Sequence, residues 1–201
     1  MFNPDIKYAH SKGVDLPLMY VYLAGYMSGE KLEECTAWRK KVREHYRKWE
    51  ETVIGYDNVY SKLGAVTGVV ANTDYKAFPI AFLDPFNGKE IDTIDKKGLT
   101  SSFPANSIVH SDYMSVKKAD LVVANLDTFG ADRPSIGTHW ELAWTWHMRK
   151  PFVLIVPEGM KETYTKHPFT AQASWIIESV DELLDLKVLE SFYRRIAGAI
   201  Y

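Results

Sequence analysis

The chain of 201 residues has 46% hydrophobic and 25% charged residues and a formal net charge of −2. This length and composition are typical of one globular domain, which we expect to span residues 1–201. The charge leaves no basic surplus to neutralise a nucleic-acid backbone, so we expect a partner other than a nucleic-acid polymer. No stretch of about 18 apolar residues could span a bilayer, and the first residues lack the apolar core of a signal peptide. A single cysteine, Cys35, fits a reducing compartment, so we expect a cytoplasmic protein that does not bind membranes.

The beginning of the sequence predicts one strand and one helix after a polar N-terminal arm, residues 1–17. The apolar run Leu18–Ala24 predicts a central strand that Gly25 ends. Apolar residues then recur at helical spacing up to about Glu50, at Leu32, Cys35, Trp38, Val42, Tyr46 and Trp49. We expect the basic residues among them to form a solvated helix face; these are Arg39, Lys40, Lys41, Arg43, Arg47 and Lys48.

The middle of the sequence predicts an insertion and two further strands. Residues 51–76 hold short apolar pieces separated by glycine, asparagine and aspartate, so we interpret them as an insertion. The run Ala77–Leu83 predicts the second strand, and a long loop is expected up to about Asn106. A short helix over Asp112–Lys118 leads into the third strand, Asp120–Asn125, whose continuous apolar character suits a parallel strand buried on both faces.

The last part of the sequence completes an alternating pattern of strands and helices. A helix is expected to begin near Ser135, followed by strands over Phe152–Val156 and Trp175–Ile177 and an amphipathic helix over Val180–Ile200. This alternation predicts an α/β fold, Rossmann-like or flavodoxin-like, with an open parallel five-stranded sheet and helices on both faces. Ligands of such sheets bind beyond the carboxyl ends of the strands, where the strand order switches.

The stretch Pro134–Trp144 lies where such a ligand would bind, between the third and fourth strands. At a helix start the first backbone N–H groups lack intrahelical partners, so Ser135 and Gly137 could offer a hydroxyl and N–H groups to an anion. Glu141 follows within the next turns, and a carboxylate there could act as a nucleophile. The alternative is that Ser135 only caps the helix and that Glu141 is a solvated helix residue.

Motifs for several other chemistries are absent from the sequence. Neither the GxGxxG fingerprint of dinucleotide binding nor a P-loop occurs, and there is no G-x-S-x-G elbow of a serine hydrolase. His139 and His147 lie on one predicted helix without a third ligand near them in the sequence, so we expect no metal site. We therefore expect a protein that acts on a small molecule without a metal or cofactor.

Two carboxylates and a tyrosine remain as candidates for chemistry. Two carboxyl groups that flank a glycosidic bond can have different catalytic roles: one attacks the anomeric carbon, and the other protonates the leaving group. Glu141 would attack, and a partly buried Asp112 would donate the proton. Tyr22 is the third candidate. The alternatives are a helix N-cap for Asp112 and a core aromatic residue for Tyr22.

Three segments resemble the nucleoside 2-deoxyribosyltransferase superfamily, which includes N-glycosidases of nucleoside 5'-monophosphates. These segments are Tyr22–Gly29, Asp112 with Ala119–Ala124, and Ser135–Leu142. The resemblance implies that Glu141 forms a glycosyl-enzyme ester at C1' of the sugar, that Asp112 assists departure of the base, and that Tyr22 lies beside the glutamate. At the position of Ser135 the transferases usually carry an acidic residue, whereas the monophosphate hydrolases carry a serine that binds the 5'-phosphate.

The resemblance also implies a set of binding residues for a nucleotide or nucleoside. They are Gly25, Tyr26, Ser28, Gly29, Asn125, Ser135 and Gly137, with Arg133 as a further candidate near the phosphate. The sequence departs from the family pattern in two places, because Ser28 stands where the hydrolases have a basic residue and Ala143 replaces a glycine. A homo-oligomer, a dimer or larger, is implied as well, in which residues 167–170 of a neighbouring subunit complete the pocket.

These observations favour an N-glycosidase that hydrolyses a (deoxy)nucleoside 5'-monophosphate to free base and (deoxy)ribose 5-phosphate through a glutamate glycosyl-enzyme intermediate. An uncharged hydroxyl at a helix start can bind a phosphate that a carboxylate would repel. Two alternatives stay open. One is a 2'-deoxyribosyltransferase that exchanges bases on unphosphorylated nucleosides, and the other is a nucleotide-binding sensor without turnover.

Overall fold

The computed structural model describes residues 8–11, 14–27, 32–53, 66–71, 77–85 and 105–198. The strands are β1 (Tyr8–Ser11), β2 (Val14–Pro17), β3 (Met19–Gly25), β4 (Val66–Ala71), β5 (Ala77–Leu83), β6 (Leu121–Asn125), β7 (Phe152–Ile155) and β8 (Trp175–Ile177). The helices are α1 (Leu32–Val53), α2 (Ala105–Lys118), α3 (Ile136–His147), α4 (Lys161–Lys166), α5 (Val180–Asp185) and α6 (Val188–Gly198). None of the helices within these ranges is long and apolar enough to cross a membrane.

Six of the described strands form one sheet in the order β4-β5-β3-β6-β7-β8. The strands β5, β3, β6, β7 and β8 pair in parallel, and β4 pairs antiparallel with β5 at the edge. The five parallel strands are those that the apolar runs predict, so the predicted parallel α/β fold is confirmed. Their order is flavodoxin-like, with the switch in strand order between β3 and β6.

The structure adds strands to two segments in which the sequence analysis predicted none. The edge strand β4 lies inside the predicted insertion, residues 51–76, and β1 pairs antiparallel with β2 inside the predicted arm, residues 1–17. The sequence of β4 contains the β-branched residues Val66, Thr67, Val69 and Val70, but Gly68 divides them into two short pieces. Pairing with β5 supplies the stability that this strand lacks on its own.

The predicted helix boundaries are wrong in two places. Helix α2 begins at Ala105, well before the predicted start at Asp112. The single helix predicted over residues 180–200 is two helices, because α5 ends at Asp185 and α6 begins at Val188. Lys187 between them has a φ of 50°, a left-handed conformation that a continuous α-helix does not contain.

Successive residues of the parallel strands point to opposite faces of the sheet and build two cores. One core packs against α1, α5 and α6 and contains Met19, Val21, Leu23, Leu121, Val123, Val153 and Ile155. The other packs against α2 and α3 and contains Tyr22, Ala24, Val122, Ala124, Phe152 and Leu154. Each fully buried aliphatic side chain contributes about 1.5–3 kcal/mol. Tyr22 therefore points toward α2 and α3.

A buried hydrogen bond joins α1 to α6. The Tyr46 hydroxyl donates to Glu190 Oε2 at 2.9 Å, and both residues are buried. Burial, followed by the charge of Glu190, raises the pKa of Tyr46 well above its usual value of 10.0. The folded phenol therefore keeps its proton at a pH where the unfolded phenol releases it.

Replacing Tyr46 with phenylalanine is expected to lower the free energy of unfolding at pH 7 by about 1.5–3 kcal/mol, because a buried carboxylate loses its donor. In the wild type this proton-linked stability is present below about pH 10 and is lost as the pH rises further. Above pH 10 the free energy of unfolding should fall less steeply in the variant than in the wild type, by about 1.4 kcal/mol per pH unit. Denaturant unfolding between pH 7 and 11 tests both effects, with Tyr164→Phe as the control. Equal pH slopes for wild type and Tyr46→Phe would contradict the assignment.

Candidate active site

The carboxyl ends of β3 and β6 lie side by side where the strand order switches. In the parallel register of these strands, Tyr22 is opposite Val122 and Gly25 is opposite Asn125. Open α/β sheets bind their ligands at such a switch point. The predicted site residues on the two strands therefore share one crevice.

A direct hydrogen bond crosses this crevice from β3 to α3. The Tyr22 hydroxyl donates to Glu141 Oε1 at 2.5 Å, and the two residues are 0% and 6% exposed. Glu141 lies on the inward face of α3 together with Thr138 and Thr145, which are also buried. The alternative that Glu141 is a solvated helix residue is therefore wrong.

A second carboxylate, that of Asp112, influences the pKa of Tyr22. Burial raises the pKa of Tyr22 well above its usual value, and the negative charges of Glu141 and Asp112 raise it further. Tyr22 therefore remains protonated at neutral pH and stays a hydrogen-bond donor to Glu141. Because Asp112 acts on the same phenol, the structure brings the three predicted catalytic residues together.

Asp112 lies inside α2, so it does not cap the helix. Helix α2 begins at Ala105, and the alternative of an N-cap role for Asp112 is wrong. The residue is half-buried. The neighbouring Tyr113 packs edge-on against Trp144 of α3, with 5.4 Å between the ring centroids. This contact holds the turn of α2 that carries Asp112 against the helix that carries Glu141.

At the start of α3, no side-chain cap uses the hydrogen-bond donors of the helix N-terminus. Ser135 is the N-cap residue and is buried, but its hydroxyl makes no capping bond and lies 2.6 Å from Thr138 Oγ1. Gly137 is exposed, and a Cβ built on it would meet no atom within 4 Å. The first backbone N–H groups of a helix have no intrahelical acceptor. The N–H of Ile136 donates to the Pro134 carbonyl at 3.0 Å, so an anion at this helix start would be bound by the N–H groups of the next residues in the first turn.

Gly25 is required at the end of β3 by close packing. A Cβ at this position would lie 3.0 Å from Trp38 Cζ2, 3.1 Å from Arg39 Nη2 and 3.2 Å from the Asn125 carbonyl oxygen. Such distances are too short for a carbon atom without movement of the surrounding groups. The glycine lets α1 and β6 approach the end of β3 closely.

The loop between β6 and α3 carries a basic residue that is tied to the end of β3. Arg133 Nε donates to the hydroxyl of the buried Tyr26 at 3.1 Å. The loop itself is shaped by Asn125, whose Oδ1 accepts from the backbone N–H of Asp127 at 3.0 Å. Tyr26 and Asn125 thus have structural partners, and their contacts with a substrate stay predictions.

Arg39 is a residue of this region that the sequence interpretation missed. The sequence predicts that Arg39 lies on a solvated helix face, and this prediction is wrong because Arg39 is 0% exposed. Its Nε donates to the Leu23 carbonyl at 3.1 Å, and its Nη2 donates to the Gly25 carbonyl at 3.0 Å. The signal was present in the spacing, since Arg39 falls at helical spacing from both Cys35 and Val42 in the middle of the apolar face.

Two predicted binding residues, Ser28 and Gly29, lie outside the residues that the structure describes. Within the part of the chain that is described, no group of three His, Cys, Asp or Glu side chains could hold a metal ion.

No protein-family model matches the chain, and no curated protein matches it. Among solved structures, a conserved protein from Enterococcus faecalis V583 is 14% identical with a TM-score of 0.51, covering 84% of this chain and 96% of its own. A CMP N-glycosidase from Clostridium botulinum is 14% identical with a TM-score of 0.42, covering 84% of this chain and 97% of its own. A 2-deoxyribosyltransferase from Leishmania mexicana is 16% identical with a TM-score of 0.43, covering 73% of this chain and 71% of its own.

The likeness to the Enterococcus protein shows a shared α/β fold. Identities of this size establish a fold and leave the activity open. A function for this chain therefore has to rest on the residues of its own crevice.

Proposed function

We propose that the protein hydrolyses the N-glycosidic bond of a nucleoside 5'-monophosphate and releases the free base and a sugar phosphate. The observation that carries this proposal is the buried hydrogen bond of 2.5 Å from Tyr22 to Glu141 at the carboxyl end of the central strand. A carboxylate that is buried and held by a fixed donor is oriented as a nucleophile needs to be. Asp112, half-buried on the adjacent helix, supplies the second carboxyl group that glycoside chemistry requires.

In the first step, a carboxylate oxygen of Glu141 attacks C1' of the sugar, and the bond between C1' and the base nitrogen breaks. The electron pair of that bond passes to the base, which takes a proton from the acid form of Asp112. Tyr22 keeps its own proton, since its pKa is raised, and holds the attacking carboxylate in place. The step ends with an ester between Glu141 and the sugar phosphate.

In the second step, water attacks C1' and displaces the carboxylate of Glu141. Asp112 is now ionised and accepts a proton from the attacking water, as microscopic reversibility requires. Both residues thereby return to their starting protonation states. The sugar phosphate leaves with a hydroxyl group at C1'.

The start of α3 supports a phosphorylated substrate. Ser135 contributes a hydroxyl at the N-cap position, and the exposed Gly137 contributes a first-turn N–H group that has no intrahelical acceptor. Arg133 adds a positive charge from the preceding loop, where Tyr26 holds it. Arg133 would thus supply the positive charge that the hydrolases have at the position of Ser28. A carboxylate would repel a phosphate at this helix start, whereas a neutral serine can donate to it.

The proposal is tested by chromatography of the free bases released from ribo- and deoxyribonucleoside monophosphates and from their unphosphorylated counterparts, with and without a second free base. We expect release from monophosphates alone, without need of a second base. Exchange that requires a second base but no phosphate would replace the proposal with a transferase. Binding of nucleotides without release from any of them would replace it with a sensor.

The homo-oligomer that the sequence resemblance implies stays a prediction. Residues 167–170 include Phe169, which is 75% exposed in the single chain. A large apolar side chain at such exposure is available to a neighbouring subunit. Light scattering of the purified protein would contradict the prediction if it gave the mass of one chain at all concentrations.

A further inference from the structure

An open cavity lies at the amino end of β7, on the opposite edge of the sheet from the catalytic crevice. Its volume is about 750 Å³, and it is lined by Trp146, His147, Arg149, Lys150, Pro151, Phe152 and Gln172. Helix α3 begins beside the crevice and ends at His147, so a helix length of about 18 Å separates its first turn from this cavity. Sites for small molecules have volumes of about 300–1,000 Å³. The cavity is therefore large enough for a second ligand.

The side chains around this cavity combine an aromatic surface with positive charge. The Trp146 side chain is 59% exposed. Arg149 is exposed and belongs to none of the ion pairs formed among the described residues, whereas Lys150 Nζ donates to the Ala119 carbonyl. An indole can stack on a planar ring, and a guanidinium can bind a phosphate through two hydrogen bonds. These two side chains suit a ligand that has both groups.

The backbone of Arg149 adopts a conformation that its side chain disfavours. Its φ is 56°, in the left-handed region. The Arg149 N–H donates to the Trp146 carbonyl at 2.9 Å, and the Lys150 N–H donates to the Thr145 carbonyl at 3.0 Å, which ends α3. A left-handed residue at a helix end is usually glycine, because a Cβ is strained there. An arginine that occupies this position despite the strain suggests a function for its side chain.

The helix dipole offers another explanation for the positive charges. Cations are favourable in the last turn of a helix, and His147 and Lys150 also lie near the end of α3. The dipole does not require an arginine in a left-handed conformation, and it does not account for the exposed indole of Trp146 beside it. A ligand with a planar ring and a negative charge accounts for both features.

We propose that this cavity is a second binding site that takes a nucleoside phosphate, with its base stacked on Trp146 and its phosphate paired with Arg149. The chemistry that the cavity recognises is a planar ring joined to an anionic group. This site contains none of the residues proposed for catalysis. Its occupation therefore does not depend on the hydrolysis proposed above.

The direct test is an NMR titration of protein labelled with ¹⁵N-tryptophan, in which the indole N–H signal of Trp146 is assigned by its loss in Trp146→Phe. The probe is pseudouridine 5'-monophosphate, because an N-glycosidase does not cleave its carbon–carbon glycosidic bond. We expect a saturable shift of the Trp146 signal. Pseudouridine and inorganic phosphate, titrated separately, should each bind at least about tenfold more weakly, because each lacks one of the two contacts. The absence of a saturable shift, or equal affinity for inorganic phosphate, would overturn the proposal.

Arg149→Gly tests the role of the strained arginine. Glycine relieves the left-handed conformation, so we expect the melting temperature to rise by about 2–4 °C while the affinity for the probe falls at least about tenfold. Lys187→Gly is the matched control, because Lys187 has a φ of 50° and does not line the cavity. It removes the same charge and a similar strain, so it should raise the melting temperature without weakening binding. If Arg149→Gly does not fold, Arg149→Asn replaces it, since asparagine also tolerates this conformation. Unchanged affinity in the Arg149 variant would overturn the proposal.

Discussion

Replacing Glu141 with glutamine is expected to reduce the release of base by at least about 10⁴-fold, since an amide oxygen cannot form the glycosyl ester. Binding of the nucleotide should persist, because glutamine has nearly the same shape and its side-chain oxygen can still accept the hydrogen bond from Tyr22. Steady-state assays of base release and equilibrium titration with a nucleotide measure the two effects separately.

The matched control for this substitution is Glu158→Gln, which changes an exposed glutamate after β7 in the same way. It should leave both turnover and binding unchanged. Turnover by Glu141→Gln within tenfold of the wild type would show that Glu141 is not the nucleophile. If the variant loses both its native fold and its nucleotide binding, the buried carboxylate has a structural role.

Replacing Ser135 with aspartate is expected to invert the preference for phosphorylated substrates. The new carboxylate would face the phosphate at the start of α3, and the loss of a donor together with charge repulsion should lower kcat/KM for the monophosphate about a hundredfold or more. Aspartate is as good an N-cap residue as serine, so the helix itself should not be weakened. The unphosphorylated nucleoside should react at least as well as with the wild type.

Ser135→Ala separates the hydrogen bond from the charge. It removes the hydroxyl without adding a carboxylate, so a smaller fall of about tenfold in kcat/KM is expected for the monophosphate. The ratio of kcat/KM for the two substrates is the informative quantity. If both variants lower kcat/KM equally for the phosphorylated and the unphosphorylated substrate, so that the ratio stays unchanged, Ser135 does not contact a phosphate.

The parallel part of the fold could be predicted from the sequence because its strands are apolar on both faces. In β6, Val122 and Ala124 contribute to one core while Leu121 and Val123 contribute to the other, so the strand appears as an unbroken apolar run. Strand β4 has a weaker signal, because Gly68 divides its β-branched residues into two short pieces, and its antiparallel pairing with β5 is defined only in the folded chain. The break at Lys187 has no glycine or proline to mark it.

The elements of the site could be predicted from the rule that parallel sheets gather the ends of their strands at one edge. Tyr22 and Glu141 are far apart in sequence, and the rule places both at that edge without defining their contact. The hydrogen bond between them depends on the inward face of α3, which helical periodicity alone does not fix when the residue is charged. A glutamate on a helix is usually solvated.

Arg39 shows why a buried charged residue is difficult to predict from the sequence. Its position in the apolar face of α1 was visible, but its charge favoured an exposed interpretation. The partners that allow its burial are the carbonyls of Leu23 and Gly25 in β3 and the carboxylate of Asp84, which directly follows β5. These partners come together only in the folded chain.

The measurement that tests the central claim most directly is the mass of the protein after acid quenching during turnover of a nucleoside monophosphate. A covalent glycosyl-enzyme predicts a species heavier by one (deoxy)ribosyl phosphate, with the added mass on the peptide that contains Glu141, and no such species in Glu141→Gln. Base release without any adduct, or an adduct on another residue, would contradict the role of Glu141 as the nucleophile.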